Sequence, residues 1–246
     1  MKQNSSRSKR RSEKGSVLFF IFVGVALFAA LSYTVAAMMK SGDPSKVAEE
    51  KARLYAGEVV DLGRKLREVV QDLRISNSCR TEEISFEVAG LSGYNFSTRD
   101  ACKVYSPAGG AQGYFAPSAD WLDGSAAGTS PIYGQVYFAS DVCVQDVGAG
   151  GSSCDTDGED NEDLVVILPF VKLEICKQIN KSLSLPQTPP VEAGSAWSAT
   201  PERYQGSFSD GAAINQSGWQ AGCFAGSGAN DPPANSYHFF QVLQAR

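Results

Sequence analysis

The stretch Val17–Met39, VLFFIFVGVALFAALSYTVAAMM, constrains this chain more than any other. It runs for 23 residues without a charge. At about 1.5 Å rise per residue, such a run is long enough as a helix to cross a hydrocarbon core of roughly 30 Å. It also divides the chain chemically. Residues 1–14 hold six cations (Lys2, Arg7, Lys9, Arg10, Arg11 and Lys14) against the single acid Glu13. The totals of 22 basic and 27 acidic residues then leave 16 and 26 beyond the apolar run, a formal charge of −10. Lys and Arg flanking a membrane helix stay cytoplasmic. The expected placement is therefore an inner-membrane, single-pass chain with a cytoplasmic N-terminus and a periplasmic or extracellular C-terminal domain. A domain this acidic excludes nucleic acid as its partner.

The cysteines point to the same compartment. Cys79, Cys102, Cys143, Cys154, Cys176 and Cys223 all follow the apolar run, with no CxxC spacing and no Cys/His cluster. An even set of widely spaced cysteines outside the cytoplasm reads as disulfides rather than zinc. Six cysteines allow fifteen connectivities; the sequential set 79–102, 143–154 and 176–223 is the expectation. A cleaved secretory signal competes with the anchor reading, since Val35-Ala36-Ala37 loosely fits a small-x-small site. Its apolar region, however, normally spans only about 7–15 residues.

After the run, Asp43-Pro44 supplies a helix start, although Pro44 could equally kink a helix continuing from the membrane. Tyr55, Val59, Leu62, Leu66, Val69 and Leu73 then recur at spacings of four and three, which predicts an amphipathic helix over 44–75 with one apolar stripe. From Ser76 the texture becomes short apolar pieces between Gly, Pro, Ser and Asp. Ile84–Val88 alternates as a strand pairing with Cys102–Tyr105, and Gly113–Ala116 and Ile132–Ala139 read as further strands. Ser118–Leu122 reads as one helical turn. Asp163–Ile167 is an apolar run leading into a helix that ends near Leu183, and Tyr237–Leu243 closes the chain as a strand. Residues 191–236 form an unusually long loop unless they contain short strands without a legible pattern.

Enzyme signatures are missing. The chain has one histidine, His238, within an aromatic strand-like run, and no GxSxG, GxxxxGK[ST] or GxGxxG motif in a suitable context. The expectation is a non-enzyme without a resident cofactor. One cluster bears on metal binding. Asp155, Asp157, Glu159, Asp160 and Asp163 lie in a run of nine residues holding six carboxylates, and calcium takes six to eight oxygen ligands. The run lacks EF-hand spacing, so a solvated acidic tip stands beside calcium as a reading. Trp121, Trp197 and Trp219 are either a sugar- or surface-binding platform or core anchors. Asn95, Asn180 and Asn215 open glycosylation sequons.

The junction Lys14-Gly15-Ser16-Val17, followed by an apolar helix and an amphipathic extension, resembles type IV pilins and pseudopilins. The resemblance covers about the first quarter of the chain. It implies that prepilin peptidase cuts after Gly15, that Ser16 becomes the new N-terminus and is open to methylation, and that the apolar helices of neighbouring subunits bundle into a filament core. The basic leader 1–15 would be lost. A stem of roughly 90 Å from Ser16 to Ile75 would carry the head, at about 1.5 Å per residue. Two positions depart from the family pattern. Phe20 stands where most members have a glutamate five residues after the cleavage glycine, and Ser16 stands where Phe or Met is usual. Both imply a minor or atypical subunit.

The expected fold is α+β. A long N-terminal transmembrane-plus-amphipathic helix, 16–40 and 44–75, precedes a small, disulfide-stapled, mainly antiparallel β head with one further helix over 76–246. The expected partners are the membrane, other pilin-like subunits or a second copy, and the peptidase. A membrane-anchored binding domain that does not polymerise is the competing function. Gly24, Ala26, Ala29, Ala30, Ala36 and Ala37 favour assembly, because small residues let helices approach closely.

Overall fold

A computed structural model describes residues 16–40, 44–94, 96, 98–128, 130–148, 162–192, 203–209, 211–228 and 232–246. The chain divides into two compact units, Met1–Ala48 and Glu49–Arg246. Helix α1 spans Ser16–Lys40. Its window Leu18–Val35 has mean hydropathy 2.3, and this is one helix long and apolar enough to cross a membrane. Helix α2 spans Pro44–Ser76, beginning on the proline because a first helical residue has no intrahelical N–H bond to lose. Residues 41–43, between these two helices in the chain, lie outside the described residues.

The second unit is built on a five-stranded sheet. Its strands are β1 (Tyr137–Val144), β2 (Asp163–Leu168), β3 (Ala212–Ile214), β4 (Ala221–Ala225) and β5 (Tyr237–Gln244), in the spatial order β3-β1-β2-β5-β4. β1 pairs antiparallel with β2, β2 with β5 and β4 with β5, while β1 and β3 run parallel. Helix α3 (Leu173–Ser182) lies between β2 and β3 in the chain. The α+β expectation, the mainly antiparallel sheet and the one further helix agree with this.

β2 reads DLVVIL and is buried along its whole length. A continuous apolar run suits a strand covered on both faces. On one face Leu164 and Val166 join Phe138 and Leu243 against Leu66, Val70 and Leu73 of α2. On the other, Val165 and Ile167 pack with Tyr137, Val142, Phe240 and Val242. A third cluster joins Ala52, Ala56 and Val59 of α2 to Ile175 and Ile179 of α3, with Phe239 of β5. Each fully buried aliphatic side chain here contributes on the order of 1.5–3 kcal/mol.

The buried seam of α2 is Ala52, Ala56, Val59, Gly63, Leu66, Val70 and Leu73. Tyr55, Leu62 and Val69 of the expected stripe flank it, half-buried. The offset arises because small residues face the sheet. A Cβ on Gly63 would lie 3.0 Å from the Phe239 ring and 3.1 Å from Gln241 Cβ, so glycine here lets the helix backbone lie close to β5.

Several expected elements differ. Ile84–Val88 is not a strand. It makes one parallel bridge, Ser85 to Lys103, in which Ser85 N–H donates to Cys102 O (3.0 Å) and Val104 N–H donates to Ser85 O (2.8 Å). Ser85 is as buried as its neighbours Ile84 and Phe86, so the alternation did not mark a wet face. Gly113–Ala116 takes no strand, and Ser118–Leu122 closes as a turn through Trp121 N–H to Ser118 O (3.0 Å). The strand expected over 132–139 begins at Tyr137, because Gly134 adopts φ +75° within a turn. The 163–167 run is strand β2 itself. The long 191–236 segment contains β3 and β4.

Two of the expected disulfides are present. Cys79–Cys102 has its Cα atoms 5.8 Å apart and Cys176–Cys223 5.5 Å apart. The third expected pair includes Cys154, which lies outside the described residues. Near α3, Phe170 takes φ +59°, a conformation rare for a bulky residue. Two hydrogen bonds hold it there: Asp123 N–H donates to Phe170 O (2.8 Å), and Phe170 N–H donates to His238 Nδ1 (3.2 Å).

Candidate assembly interface

Helix α1 is apolar around its whole circumference. Leu18, Phe20, Phe22, Leu27, Phe28, Leu31 and Tyr33 are each more than 60% exposed, Tyr33 reaching 76%. A water-facing helix would show one polar face; a helix without one is suited to lipid or to packing against other apolar helices. Helix α2 differs because its polar side carries acids and bases in register. Asp61 pairs with Arg64 at 2.5 Å and Lys65 at 2.7 Å. Hydrogen bonds from these two cations hold its carboxyl below the usual carboxylate range. Gly15 lies outside the described residues, and Ser16 is the first residue of α1.

Besides the apolar seam, polar ties join the head to α2, among them Arg74 Nη1 donating to Gln244 Oε1 of β5. The Trp121 indole N–H donates to Glu58 Oε2 (3.1 Å), and the Tyr55 hydroxyl donates to Asp120 Oδ2 (3.3 Å). At the sheet edge, Asn180 of α3 clamps β4. Its Nδ2 donates to Cys223 O (2.8 Å) and Pro186 O (3.1 Å), and its Oδ1 accepts from Cys223 N–H (2.8 Å). Beside it, Ala225 N–H donates to Pro190 O and Glu192 N–H donates to Ala225 O, both at 2.8 Å. The outward backbone groups of Cys223 and Ala225 are therefore satisfied, which blunts this edge against pairing with another strand.

The glycosylation motifs fit poorly with these contacts. Asn180 is fully buried in its clamp, and Asn215 Nδ2 donates to Glu192 Oε1 at 2.6 Å. Asn95 lies outside the described residues. The two described tryptophans share no platform: Trp121 packs with α2 and α3, and Trp219 packs with the cluster on the opposite sheet face; Trp197 lies outside the described residues.

Of the five carboxylates considered for calcium, Asp155, Asp157, Glu159 and Asp160 lie outside the described residues. Asp163 opens β2 fully buried, with Oδ2 accepting from Val144 N–H (2.9 Å) and Oδ1 from Arg246 N–H (3.1 Å). Burial pushes its carboxyl up to about 7, with Glu162 nearby adding to the rise and the two N–H donors opposing it. Both oxygens thus serve the backbone of the sheet. Among the described residues no group of three His, Cys, Asp or Glu is placed to hold a metal ion.

His238 is fully buried between Phe170 and Phe224, with ring centroids 5.1 and 5.6 Å away. Its Nδ1 accepts the Phe170 N–H, which places the proton of the neutral ring on Nε2. That proton points at Ser236 Oγ, 2.6 Å away, and the Ser236 hydroxyl in turn donates to Pro233 O (2.5 Å). A serine nucleophile needs a histidine that accepts its proton. Here both histidine nitrogens are committed in the opposite sense, and burial pushes the ring down to about 3. The pair is a structural strut. The sequence singles out Asn180 only as a sequon, Asp163 only as a candidate calcium ligand and His238 only as the lone histidine; their structural roles are not legible there, because each partner is distant in the chain or belongs to the backbone.

Comparison with known proteins adds no further identification: no family model, curated protein or solved structure matches this chain.

Proposed function

We propose that the chain is a pilin-like subunit of a bacterial surface filament or secretion system, of the minor or atypical kind, assembled through α1. It is held in the inner membrane with its N-terminus in the cytoplasm and its head outside. Prepilin peptidase cuts after Gly15, and Ser16 becomes the mature terminus. The observation that carries this reading is α1 itself, an apolar helix preceded by a basic Lys14-Gly15 junction and followed by a helix laid on a disulfide-stapled sheet. Its small residues allow close helix packing, so the same segment serves first as anchor and then as filament core. With Phe20 in place of the usual glutamate, packing alone would join α1 to its neighbours, without a charge pair to the new amine.

Mass spectrometry of the mature N-terminus, after co-expression with prepilin peptidase, tests this. A chain starting at Ser16 is expected, and Gly15→Leu should abolish the cut. An intact Met1, or a start near Met38, would overturn it.

A further inference from the structure

On the head, the 112–121 loop and α2 form an open cleft of about 350 Å³ lined by Glu58, Leu62, Lys65, Gln112, Phe115 and Trp121, with Asp61 at its edge. That volume falls within the range of small-ligand sites, roughly 300–1,000 Å³. Phe115 stands at its wall, 47% exposed. The ring is braced in place: it meets Trp121 edge to face, with centroids 6.0 Å apart and planes at 81°. Trp121 is in turn pinned by its indole bond to Glu58, and the loop is tied again by Tyr55 to Asp120. A rigid aromatic face loses little entropy on binding, which is what makes such a group an effective contact surface.

The polar groups around the ring define the ligand. Asp61 is compensated by Lys65 in the wall and by Arg64 just outside it, and the second of these cations offsets Glu58. An ion of either sign gains little at a neutral wall. A wholly apolar ligand would strip water from Glu58, Lys65 and Gln112 without replacing their hydrogen bonds. A ring with one C–H face and a hydroxylated rim meets both demands. Its C–H face lies on Phe115, and its hydroxyls donate to the Glu58 carboxylate and accept from Lys65 and Gln112. The geometry points to a binding site for a neutral hexopyranose unit of a glycan, carried by Phe115 with Glu58 and Gln112. Nothing in this argument uses α1, so the site stands or falls separately from the filament reading.

Saturation-transfer NMR on the full chain in a non-glycosidic detergent tests it, with the methyl glycosides of glucose, galactose, N-acetylglucosamine and N-acetylgalactosamine as probes. At least one should bind saturably, with transfer strongest at its C–H face. Phe115→Ala should weaken that binding by about tenfold, a factor that corresponds to about 1.4 kcal/mol, while Phe115→Trp retains it. Both variants should stay folded at the assay temperature, Phe115→Ala with a somewhat lower melting temperature because it loses the edge-to-face contact with Trp121. Four silent glycosides would overturn the proposal. So would binding unaffected by Phe115→Ala, or p-cresol binding where the sugars do not, which would mark a docking site for protein side chains.

Discussion

Replacing Asp163 by asparagine should expose an acid sensitivity that the intact protein conceals. Two buried groups of the head titrate in opposite senses. His238 has an ordinary value of 6.5 and is pushed down by burial to about 3. The unfolded chain therefore binds its proton first, and stability falls as pH drops below 6.5. Asp163 has an ordinary value of 3.8 and is pushed up to about 7. The folded chain binds its proton first, so its contribution is fully present below 3.8 and is lost as pH rises through 7. Between pH 7 and pH 5 the histidine removes about 2 kcal/mol and the aspartate restores about 2 kcal/mol, at 1.36 kcal/mol per pH unit of differential protonation. The half-buried carboxylates Asp61, Glu83 and Asp123 are held below their ordinary values by hydrogen bonds, so they titrate beneath this window. Urea unfolding with disulfides intact should give nearly equal stabilities for the parent at pH 7 and pH 5. Asp163→Asn should be about 2 kcal/mol less stable at pH 5 than at pH 7. Its absolute stability will also drop, because an amide NH₂ cannot accept from both Val144 and Arg246; only the difference between the two pH values bears on the argument. Identical pH dependence in parent and variant would refute it.

Other expectations rest on separate contacts. Gly63→Val should destabilise the head by about 1–3 kcal/mol through overpacking against Phe239, even though valine forms helix more readily than glycine; a rise in the urea midpoint would contradict the close approach of α2 to β5. Breaking Cys176–Cys223 with paired serines reopens a loop of sequence separation 47 and should cost about 4 kcal/mol by chain entropy. Breaking Cys79–Cys102, separation 23, should cost about 3 kcal/mol on the same scale, so calorimetry should rank the first lower in melting temperature. Asn180→Ala removes three hydrogen bonds and leaves Cys223 N–H without its acceptor, a loss of about 2–3 kcal/mol; faster amide exchange at Cys223 than in β5 would accompany it.

The order of legibility follows the range of the forces involved. α1 is readable because a 23-residue uncharged run needs no partner to declare itself. α2 is readable as a helix and Val59, Leu66 and Leu73 of its expected stripe are buried, but the face is shifted: Tyr55, Leu62 and Val69 are only half-buried, whereas Ala52, Ala56, Gly63 and Val70 complete the seam. Small side chains carry little hydropathy and mark close approach only once the opposing strand is known. β5 carried its own apolar pattern and was placed correctly. β3 and β4, Ala-Ala-Ile and Ala-Gly-Cys-Phe-Ala, carried none. They are strands because β1 and β5 offer them hydrogen bonds, and Asn180 and Glu192 then hold the surrounding chain.

The candidate binding site was still less visible. In the sequence Trp121 stands out only as one of three tryptophans, and Phe115 lies in a segment that reads as a strand. Its role depends on Glu58, more than fifty residues earlier, being delivered by α2. Similarly, the clustered acids suggested a metal, whereas Asp163 proves to serve the backbone of β1 and the chain's last residue.

By itself, then, the sequence determined the apolar helix, the charge asymmetry around it, the amphipathic helix that follows and the oxidised character of the cysteines. These properties arise from composition and periodicity within one segment. Tertiary structure alone decided which face of α2 is buried, where the sheet's outer strands lie, and which polar groups are struts. Those outcomes depend on pairings across tens of residues, where a hydrogen bond or a missing Cβ outweighs any local preference.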